Sequence, residues 1–395
     1  MNILPIYDWK LTNRTLNITN QQSIAISVIR VLAMSLIVAC HIAQAYEYQT
    51  AFLLNVGVQI FFLTSGFLYG KIEIARPIEF YRKRLTRIYI PYALVVATVL
   101  IIQSLLGMWQ FNFRDVAIYA LNLQGFVSTS VAGLNHLWFL SVLMICYLLV
   151  PWLQRLLNHK PWLLVGGVIA ASLLEFLLIQ KMYSTCAWIV LFTSGMVYGK
   201  YESSKASLSV IAGSAVMLAG MSPFFRLNYL TDPNWAHYCV WFHCVLAVFI
   251  FAAIYYLLPK VISAQAELPI LKQADKISYE VYLVHHPLIL GPLALLTITS
   301  FKGLNIAIVL LTTVALAYVC MYVCMYVCMY VCMWAEEIIE LNYDTENYPL
   351  LLVWKQTITR VSSEMYRELE EVLAGVRVAA MERGNLRPRY VSLCA

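Results

Sequence analysis

The chain has 395 residues, of which 61% are hydrophobic and 12% are charged, and its formal net charge is +6. A soluble domain usually carries about twice this charged share. A chain so poor in charge cannot cover its own surface in water, which excludes an ordinary soluble protein. The repeated apolar runs instead predict an all-α, polytopic integral membrane protein.

Ten segments are apolar enough to cross a bilayer, which takes roughly 20 mostly apolar residues. The stretch from 112 to 135 is too polar to span and predicts a longer loop, while the fifth and sixth segments are tightly spaced. In chain order the ten segments centre on residues 24–44, 51–70, 88–107, 136–155, 161–179, 183–200, 207–225, 238–258, 282–300 and 303–325.

The basic residues of the loops predict the orientation. If the N-terminus is cytoplasmic, fifteen lysines and arginines fall in inner segments, and four fall in outer loops: Arg114, Lys181, Arg226 and Lys302. Cytoplasmic loops of membrane proteins carry this excess. The sequence therefore predicts that both termini are cytoplasmic, and the net charge reflects topology and does not indicate nucleic-acid binding.

The chain divides into three parts. Residues 1–21 form a cytoplasmic tail, 22–333 form the membrane domain, and 334–395 form a polar C-terminal tail. Cysteines show no CxxC spacing, so we expect neither a zinc site nor a disulfide framework. Apolar residues in the C-terminal tail recur every three or four positions, which predicts an amphipathic helix: Ile358, Val361, Met365, Leu369, Val372 and Val376.

The first segment contains an arginine and a histidine. Arg30 and His41 are eleven residues apart, which is about 16 Å along a helix and close to three turns. Ionised residues in a span are costly and commonly functional. Taken singly, Arg30 could extend to the interface and His41 could bond another helix. Because they share a helix face, we interpret them as functional.

Two later segments are less decisive. In 57–70 the small residues Ser65 and Gly66 permit close helix approach, which we interpret as packing. In EFYRKRLTRIYIPY (79–92), Arg84 and Arg87 are one turn apart and can converge on a phosphate, which arginine grips with two parallel hydrogen bonds. The neighbouring Arg82 and Lys83 are typical of a topology anchor at anionic headgroups.

A polar cluster is predicted at the start of the ninth segment, in KISYEVYLVHHPLIL (276–290). It comprises Tyr279, Tyr282, His285 and His286, which the predicted topology places near the cytoplasmic face. Tyr282 and His285 could contact substrate, or the cluster could be structural.

Together these segments resemble the acyltransferase 3 family of integral membrane acyltransferases. The family's first-helix hallmark is a basic residue, ten intervening positions and a histidine, which Arg30 and His41 match. The other matches, in the family's order, are GVQIFFLTSGFLYG (57–70), the RxxR of Arg84 to Arg87 followed by IYIPY, HLWFLSVLMICYLLVPWL (136–153) and SYEVYLVHHPL (278–288). The resemblance covers residues 22–320.

The resemblance implies a transferase of acyl groups other than aminoacyl groups, in particular an O-acetyltransferase. Its donor substrate would be acetyl-CoA, with no bound cofactor, and its acceptor a hydroxyl of O-antigen, lipopolysaccharide, capsule or exopolysaccharide. The resemblance implies that His41 is catalytic and that Arg30, Arg84 and Arg87 handle acyl-CoA. It also implies a multi-pass protein of the bacterial inner membrane.

The chemistry of histidine agrees with that role. A sugar hydroxyl attacks a thioester well only when a base takes its proton, and a histidine suits this task. Direct attack with His41 as general base and an acyl-histidine intermediate both remain open. The sequence shows no carboxylate on the His41 face, since Glu47, six residues away, lies off it.

A carrier or flippase for lipid-linked sugars or small solutes would also use membrane arginine and histidine. It would favour internal repeats with broken helices near mid-membrane, and the sequence shows no convincing pair of such segments. A purely structural or sensory protein is the third alternative.

Residues 318–333 read YVCM four times. The codons TAT-GTA-TGT-ATG encode this unit as three copies of TATG, and every reading frame through such a tract gives the same cyclic repeat. Slippage by one unit would change the downstream frame, so we expect phase variation of a surface-modifying enzyme. A chance apolar repeat is the alternative.

Overall fold

A computed structural model of the chain describes residues 18–178, 185–226 and 233–342. Of the described residues, 79% are helical and none forms a β-strand. Short 3-10 turns precede α6 and follow α9. The helices are α1 (Asn20–Ala45), α2 (Ala51–Leu54), α3 (Gly57–Lys71), α4 (Pro77–Leu105), α5 (Phe113–Ala120), α6 (Trp138–His159), α7 (Pro161–Leu178), α8 (Thr185–Tyr201), α9 (Ser204–Met221), α10 (Pro233–Val261), α11 (Pro269–Lys276), α12 (Ser278–Ile289) and α13 (Lys302–Asn342).

Seven helical segments of the described chain are long and apolar enough to cross a membrane, which confirms the all-α, polytopic prediction. They are Asn20–Ala45, Ala51–Lys71, Pro77–Leu105, Asn135–His159, Ser204–Phe224, Tyr238–Val261 and Lys302–Val327. The three other expected spans correspond to α7, α8 and α12, which have 18, 17 and 12 residues. The count of ten and the cytoplasmic termini therefore stay predictions.

The ninth predicted segment, 282–300, is not one continuous helix. Helix α12 ends at Ile289, and the chain from 290 to 301 is not helical. Gly291 adopts a positive φ of 145°, a conformation that a helix cannot contain, and Pro292 follows it. The apolar character of this segment, which suggested a full span, comes from a short helix and a largely exposed, non-helical stretch.

The polar stretch between 112 and 135 folds as a non-spanning segment, as predicted. It contains the eight-residue α5 and several turns, and Asp115 fixes its conformation. The buried Asp115 carboxylate accepts hydrogen bonds from Trp109 Nε1 at 3.3 Å, from the Ser130 backbone N–H at 3.3 Å and from the Ser130 hydroxyl. Burial acts to raise the pKa of Asp115, but these hydrogen bonds outweigh it and hold the pKa below its ordinary value.

Helices α3 and α8 form a close pair built on glycines. A Cβ added at Gly66 would lie 1.8 Å from the Phe192 carbonyl oxygen, and one at Gly195 would lie 2.3 Å from the Leu63 carbonyl oxygen. Such spacing leaves no room for any side chain, so the two backbones are in direct contact, as in small-residue membrane packing. This agrees with the packing interpretation of the 57–70 segment.

The same pair contains an internal repeat that the sequence analysis missed. Residues 64–73 (TSGFLYGKIE) and 193–202 (TSGMVYGKYE) are identical at seven of ten positions. A Cβ at Gly70 would meet Met196, four residues after the neighbour of Gly66, so the two helices are parallel. The two copies thus pack against each other in register around a local two-fold axis. Lys71 of one copy forms an ion pair with Glu202 of the other at 2.9 Å.

Two compact units divide the chain. The first is Trp9–Cys320; the second comprises Met1–Asp8 and Met321–Ala395, of which the structure describes only the remainder of α13. The amphipathic helix predicted at 358–376 and most of the 1–21 tail lie outside the described residues.

Candidate active site

Helix α1 carries both polar residues that the sequence singled out. Its N-terminus is closed by a capping box. The Thr19 hydroxyl oxygen accepts a hydrogen bond from the Gln22 backbone N–H, and the Gln22 side-chain oxygen accepts one from the Thr19 backbone N–H. The helix then runs unbroken through Arg30 and His41. The predicted separation of about 16 Å between them along one face therefore follows from the helical rise.

The His41 ring is oriented by a neighbour on the same helix. Its Nδ1 is 2.8 Å from Oε1 of Gln44, one turn further along α1. The sequence contains no carboxylate on this face of α1. An amide oxygen at position i+3 performs the same orienting task, and i, i+3 neighbours on a helix are within contact distance.

Four imidazole rings meet at this end of α1, and we call His41, His136, His285 and His286 the histidine cluster. The His41 ring centroid is 4.7 Å from that of His286, in an edge-to-face arrangement, and 5.3 Å from that of His285. The His136 ring stacks on His286 at 4.6 Å and lies 5.2 Å from His285. Four of the seven histidines in the chain are thus in one place.

Tyr282 and a glycine contact hold the cluster together. The Tyr282 hydroxyl donates to the His136 carbonyl oxygen at 2.6 Å. Gly133, at φ +81°, approaches Gly291 so closely that a Cβ on Gly291 would lie 2.9 Å from the Gly133 Cα. The loop before α6 can therefore reach the end of α12 only with glycine at this contact.

Hydrogen bonds to oxygen acceptors fix where the protons lie on three of these rings. Nδ1 of His286 is 2.8 Å from the Gly133 carbonyl oxygen, and Nδ1 of His285 is 2.8 Å from the Tyr282 carbonyl oxygen. Because these oxygens only accept, each Nδ1 carries the hydrogen and each neutral ring has its lone pair on Nε2. The Gln44 amide oxygen gives His41 the same tautomer.

The cluster does not have the geometry of a metal site. Within the described residues, no group of three or more histidine, cysteine, aspartate or glutamate side chains is arranged to hold a metal ion. The rings of His136 and His286 are nearly parallel, with an interplanar angle of 13°. Ring lone pairs lie in the ring plane, so two stacked rings do not direct them at one ion.

The other end of the Arg30–His41 face is ionic. Arg30 Nε is 3.2 Å from Asp275 Oδ1, and its Nη1 donates to Oδ2 at 3.4 Å, while the Ser27 hydroxyl donates to Oδ2 at 2.9 Å. Burial raises the pKa of Asp275, and the positive charges of Arg30 and Arg87 oppose that rise. Arg87 therefore belongs to the same charged group, which we call the arginine site: Arg30, Arg87 and Asp275.

The structure separates Arg84 from the arginine site. Its guanidinium lies over the rings of Tyr69, at 5.2 Å, and Tyr147, at 5.8 Å. These cation–π contacts tie α4 to α3 and α6. Arg84 and Arg87 are one turn apart, as expected, and the charge of Arg87 acts on Asp275.

The polar residues of α12 lie deeper than the sequence analysis predicted. Tyr279 is near the arginine site, since it shares the first turn of α12 with Ser278, whose hydroxyl bonds to the Asp275 carbonyl oxygen. His285 and His286, however, are level with His41. The reason is the short α11, which brings the chain to the level of Arg30 before α12 begins.

Three residues of the site were missed from sequence: His136, Gln44 and Asp275. His136 was visible only as part of the HLWFL segment. The small number of histidines was a usable signal. Of only seven in the chain, two are adjacent at 285–286 and one lies at the start of an apolar span. For Asp275 the signal was a carboxylate ten residues before this pair, which repeats the Arg30–His41 spacing.

The protein is thus a polytopic helical membrane protein with an oriented histidine, His41, at one level of the helices and the arginine site at another. The chain belongs to the acyltransferase 3 family, described as an acyltransferase domain, which it matches over residues 23–334. It is therefore a membrane acyltransferase. No curated protein and no solved structure matches the chain.

Proposed function

We propose that the protein transfers an acetyl group from acetyl-CoA to a hydroxyl of a cell-envelope polysaccharide, such as O-antigen, lipopolysaccharide, capsule or exopolysaccharide, in the bacterial inner membrane. The observation that carries the proposal is the Nδ1 bond of His41 to Gln44, which leaves Nε2 with a lone pair. Family membership supplies the acyltransferase class.

In the proposed reaction, the hydroxyl oxygen of the acceptor attacks the thioester carbonyl carbon while His41 Nε2 takes the hydroxyl proton. The tetrahedral intermediate collapses, the carbon–sulfur bond breaks, and the imidazolium returns its proton to the leaving thiolate. The products are the acetyl ester and free CoA, and His41 returns to its starting tautomer. Gln44 holds the ring throughout.

The arginine site supports a donor that carries phosphates. Arg30 forms an ion pair with Asp275 at one end of the face, the charge of Arg87 acts on the same carboxylate, and guanidinium groups bind phosphate oxygens strongly. We propose that these two arginines contact the phosphates of acyl-CoA, and that Arg84 contributes positive charge nearby from its position over Tyr69.

The test uses membranes that contain the protein, acetyl-CoA and envelope glycans from cells that lack the gene. We expect glycans heavier by the mass of an acetyl group per modified residue, and no such product with His41→Ala at equal membrane abundance. Acetylation by His41→Ala at the normal rate would end this proposal. Unchanged glycans in the presence of the intact protein would end the assignment of the acceptor.

We also propose that expression of the intact chain switches at the YVCM repeat of residues 318–333. Helix α13 runs without interruption from Lys302 to Asn342, so the repeat forms part of a helix. We attribute the regularity of the repeat to the nucleotide sequence of the gene. Sequencing the tract in many sister colonies is the test. Tract lengths that never vary, or codons that contain no tetranucleotide unit, would contradict the switch.

A further inference from the structure

The histidine cluster contains a second imidazole that the proposed reaction does not use. Buried polar atoms without a hydrogen-bond partner in the described residues include both ring nitrogens of His136 and Nε2 of His285, but not Nε2 of His41 or of His286. The hydrogen bonds of His41 and His286 use only their Nδ1 atoms. The unpartnered nitrogens of His136 and His285 are enclosed by the protein, so a ligand cannot reach them. The Nε2 atoms of His41 and His286 are not enclosed in this way, and their lone pairs remain available to a ligand.

These two rings are neighbours held from different directions. Their centroids are 4.7 Å apart with an interplanar angle of 81°. His41 is fixed by Gln44 from α1, and His286 is fixed by Gly133 from the loop before α6. Since both rings have their hydrogens on Nδ1, both offer an acceptor at Nε2, and the ligand that satisfies them must supply two hydrogen donors.

We propose that His286 binds a second hydroxyl of the acceptor, on a carbon adjacent to the one that is acetylated. This inference rests on the proposed function and names its substrate class as a vicinal diol. His41 takes the proton of the reacting hydroxyl, while His286 Nε2 accepts a hydrogen bond from the neighbouring hydroxyl. The diol is thereby fixed at two points, which orients the attacking oxygen.

The protons of the cluster favour a diol over an anion or a single alcohol. Two Nε2 lone pairs repel an anionic acceptor. Single alcohols satisfy one ring and leave the other without a partner, and a buried acceptor without a partner is unfavourable. A sugar ring with adjacent free hydroxyls supplies two donors on neighbouring carbons, one for each of the two neighbouring rings.

Two substitutions at His286 distinguish this role from a structural one. His286→Asn keeps a donor near the Nδ1 position for Gly133 and removes the acceptor at Nε2. His286→Gln places an amide oxygen near the Nε2 position and removes the Gly133 bond. We expect His286→Asn to reduce kcat/KM for the glycan about tenfold or more, and His286→Gln to retain most of the activity.

His243→Asn and His243→Gln are the matched controls, because His243 is as buried as His285 and its ring contacts Phe225 and Phe242. Activity that survives in His286→Asn and falls in His286→Gln would show that His286 only anchors the loop. Equal activity, or equal loss at normal abundance, in both His286 variants would also overturn the proposal.

Two further measurements separate this proposal from the proposed function. Hydrolysis of acetyl-CoA by water needs no second hydroxyl, so His286→Asn should slow transfer to glycan more than it slows any His41-dependent hydrolysis. NMR of the glycan should place every acetyl group beside a carbon that bears a free hydroxyl. An acetyl group with glycosylated, deoxy or amino carbons on both sides overturns the diol, whereas loss of the His41 dependence overturns the function itself.

Discussion

The two ends of the Arg30–His41 face are built from opposite kinds of side chain. Around His41 the neighbours are imidazoles, an amide and backbone carbonyls. Around Arg30 they are a carboxylate, a hydroxyl and a second arginine. The neutral end can move one proton without changing its other contacts, and the ionic end can exchange one anion for another.

A single stretch of chain contacts both ends. Helix α11 brings Asp275 to Arg30, and α12, which follows after one residue, brings His285 and His286 to His41. The spacing from Asp275 to these histidines is ten and eleven residues, as it is eleven from Arg30 to His41. Two adjacent helices, α11 and α12, therefore supply residues to the two ends, and substitutions can alter each end separately.

The largest expected effect is at His41. His41→Ala should reduce the rate of acetyl transfer by about 100-fold to 10,000-fold, which is the range for a general base. Initial rates at equal membrane abundance measure it, with His243→Gln as the control for loss of a buried histidine. A His41→Ala protein with a normal rate would show that the neutral end has no chemical role.

The next effect is at the ionic end and concerns the donor. Neutralising Arg84 and Arg87 together should raise the KM for acetyl-CoA severalfold, because charge-assisted contacts to phosphate are lost. The structure also allows an expectation for each single substitution. Arg30→Gln and Arg87→Gln should each raise the donor KM with little change in kcat. Arg84→Gln should act mainly on membrane abundance, since its guanidinium packs on Tyr69 and Tyr147.

These variants are compared by measuring donor KM and the amount of inserted protein side by side. An Arg87→Gln protein with normal donor KM and poor insertion would make Arg87 a topology anchor. An Arg84→Gln protein with the largest rise in donor KM would show that the phosphate lies on the other side of α4.

A smaller effect is expected at Gln44. Gln44→Ala removes the bond that orients His41, so kcat should fall about threefold to tenfold, in line with one neutral hydrogen bond. Gln44→Glu keeps an acceptor at the same place and should restore most of the rate. If both variants have the wild-type kcat, ring packing by His285 and His286 is enough to orient His41.

The smallest effect is expected at Asp275, because under the proposed function its carboxylate would compete with donor phosphates for Arg30. Asp275→Asn should lower the donor KM about twofold to threefold at neutral pH, consistent with a weak, partly exposed ion pair. The pKa of Asp275 is raised, so the wild-type carboxylate is charged above that pKa and becomes neutral as the pH falls through it.

The donor KM of the wild type should therefore fall toward acid pH relative to that of Asp275→Asn, which lacks this titration and controls for the titration of CoA itself. A higher donor KM in Asp275→Asn at neutral pH would mean that Asp275 holds Arg30 in place for the donor.

The sequence predicted the class of fold because a membrane-spanning helix must be apolar along most of its length. It also predicted that Arg30 and His41 share one face of a helix, because 3.6 residues per turn sets their relation. It failed where the partner comes from elsewhere in the chain. Asp275 is 245 residues from Arg30, and Gly133 is 153 residues from His286. Such contacts depend on tertiary packing that no local spacing records.

The misjudged depth of His285 and His286 has a related cause. Hydropathy averages over a window, so a twelve-residue helix followed by an apolar turn resembles one long span. The glycine with φ of 145° after α12 is one residue in that window. A short helix of this kind can present its polar residues at the level of His41.

The pairing of α3 with α8 has a consequence for the history of the chain. Two identical polypeptides that dimerise through a parallel glycine interface would place the same motif on both sides of a two-fold axis. The copies at 64–73 and 193–202 have this arrangement within one molecule. It is the arrangement expected if a shorter ancestral gene encoded a homodimer and later duplicated and fused.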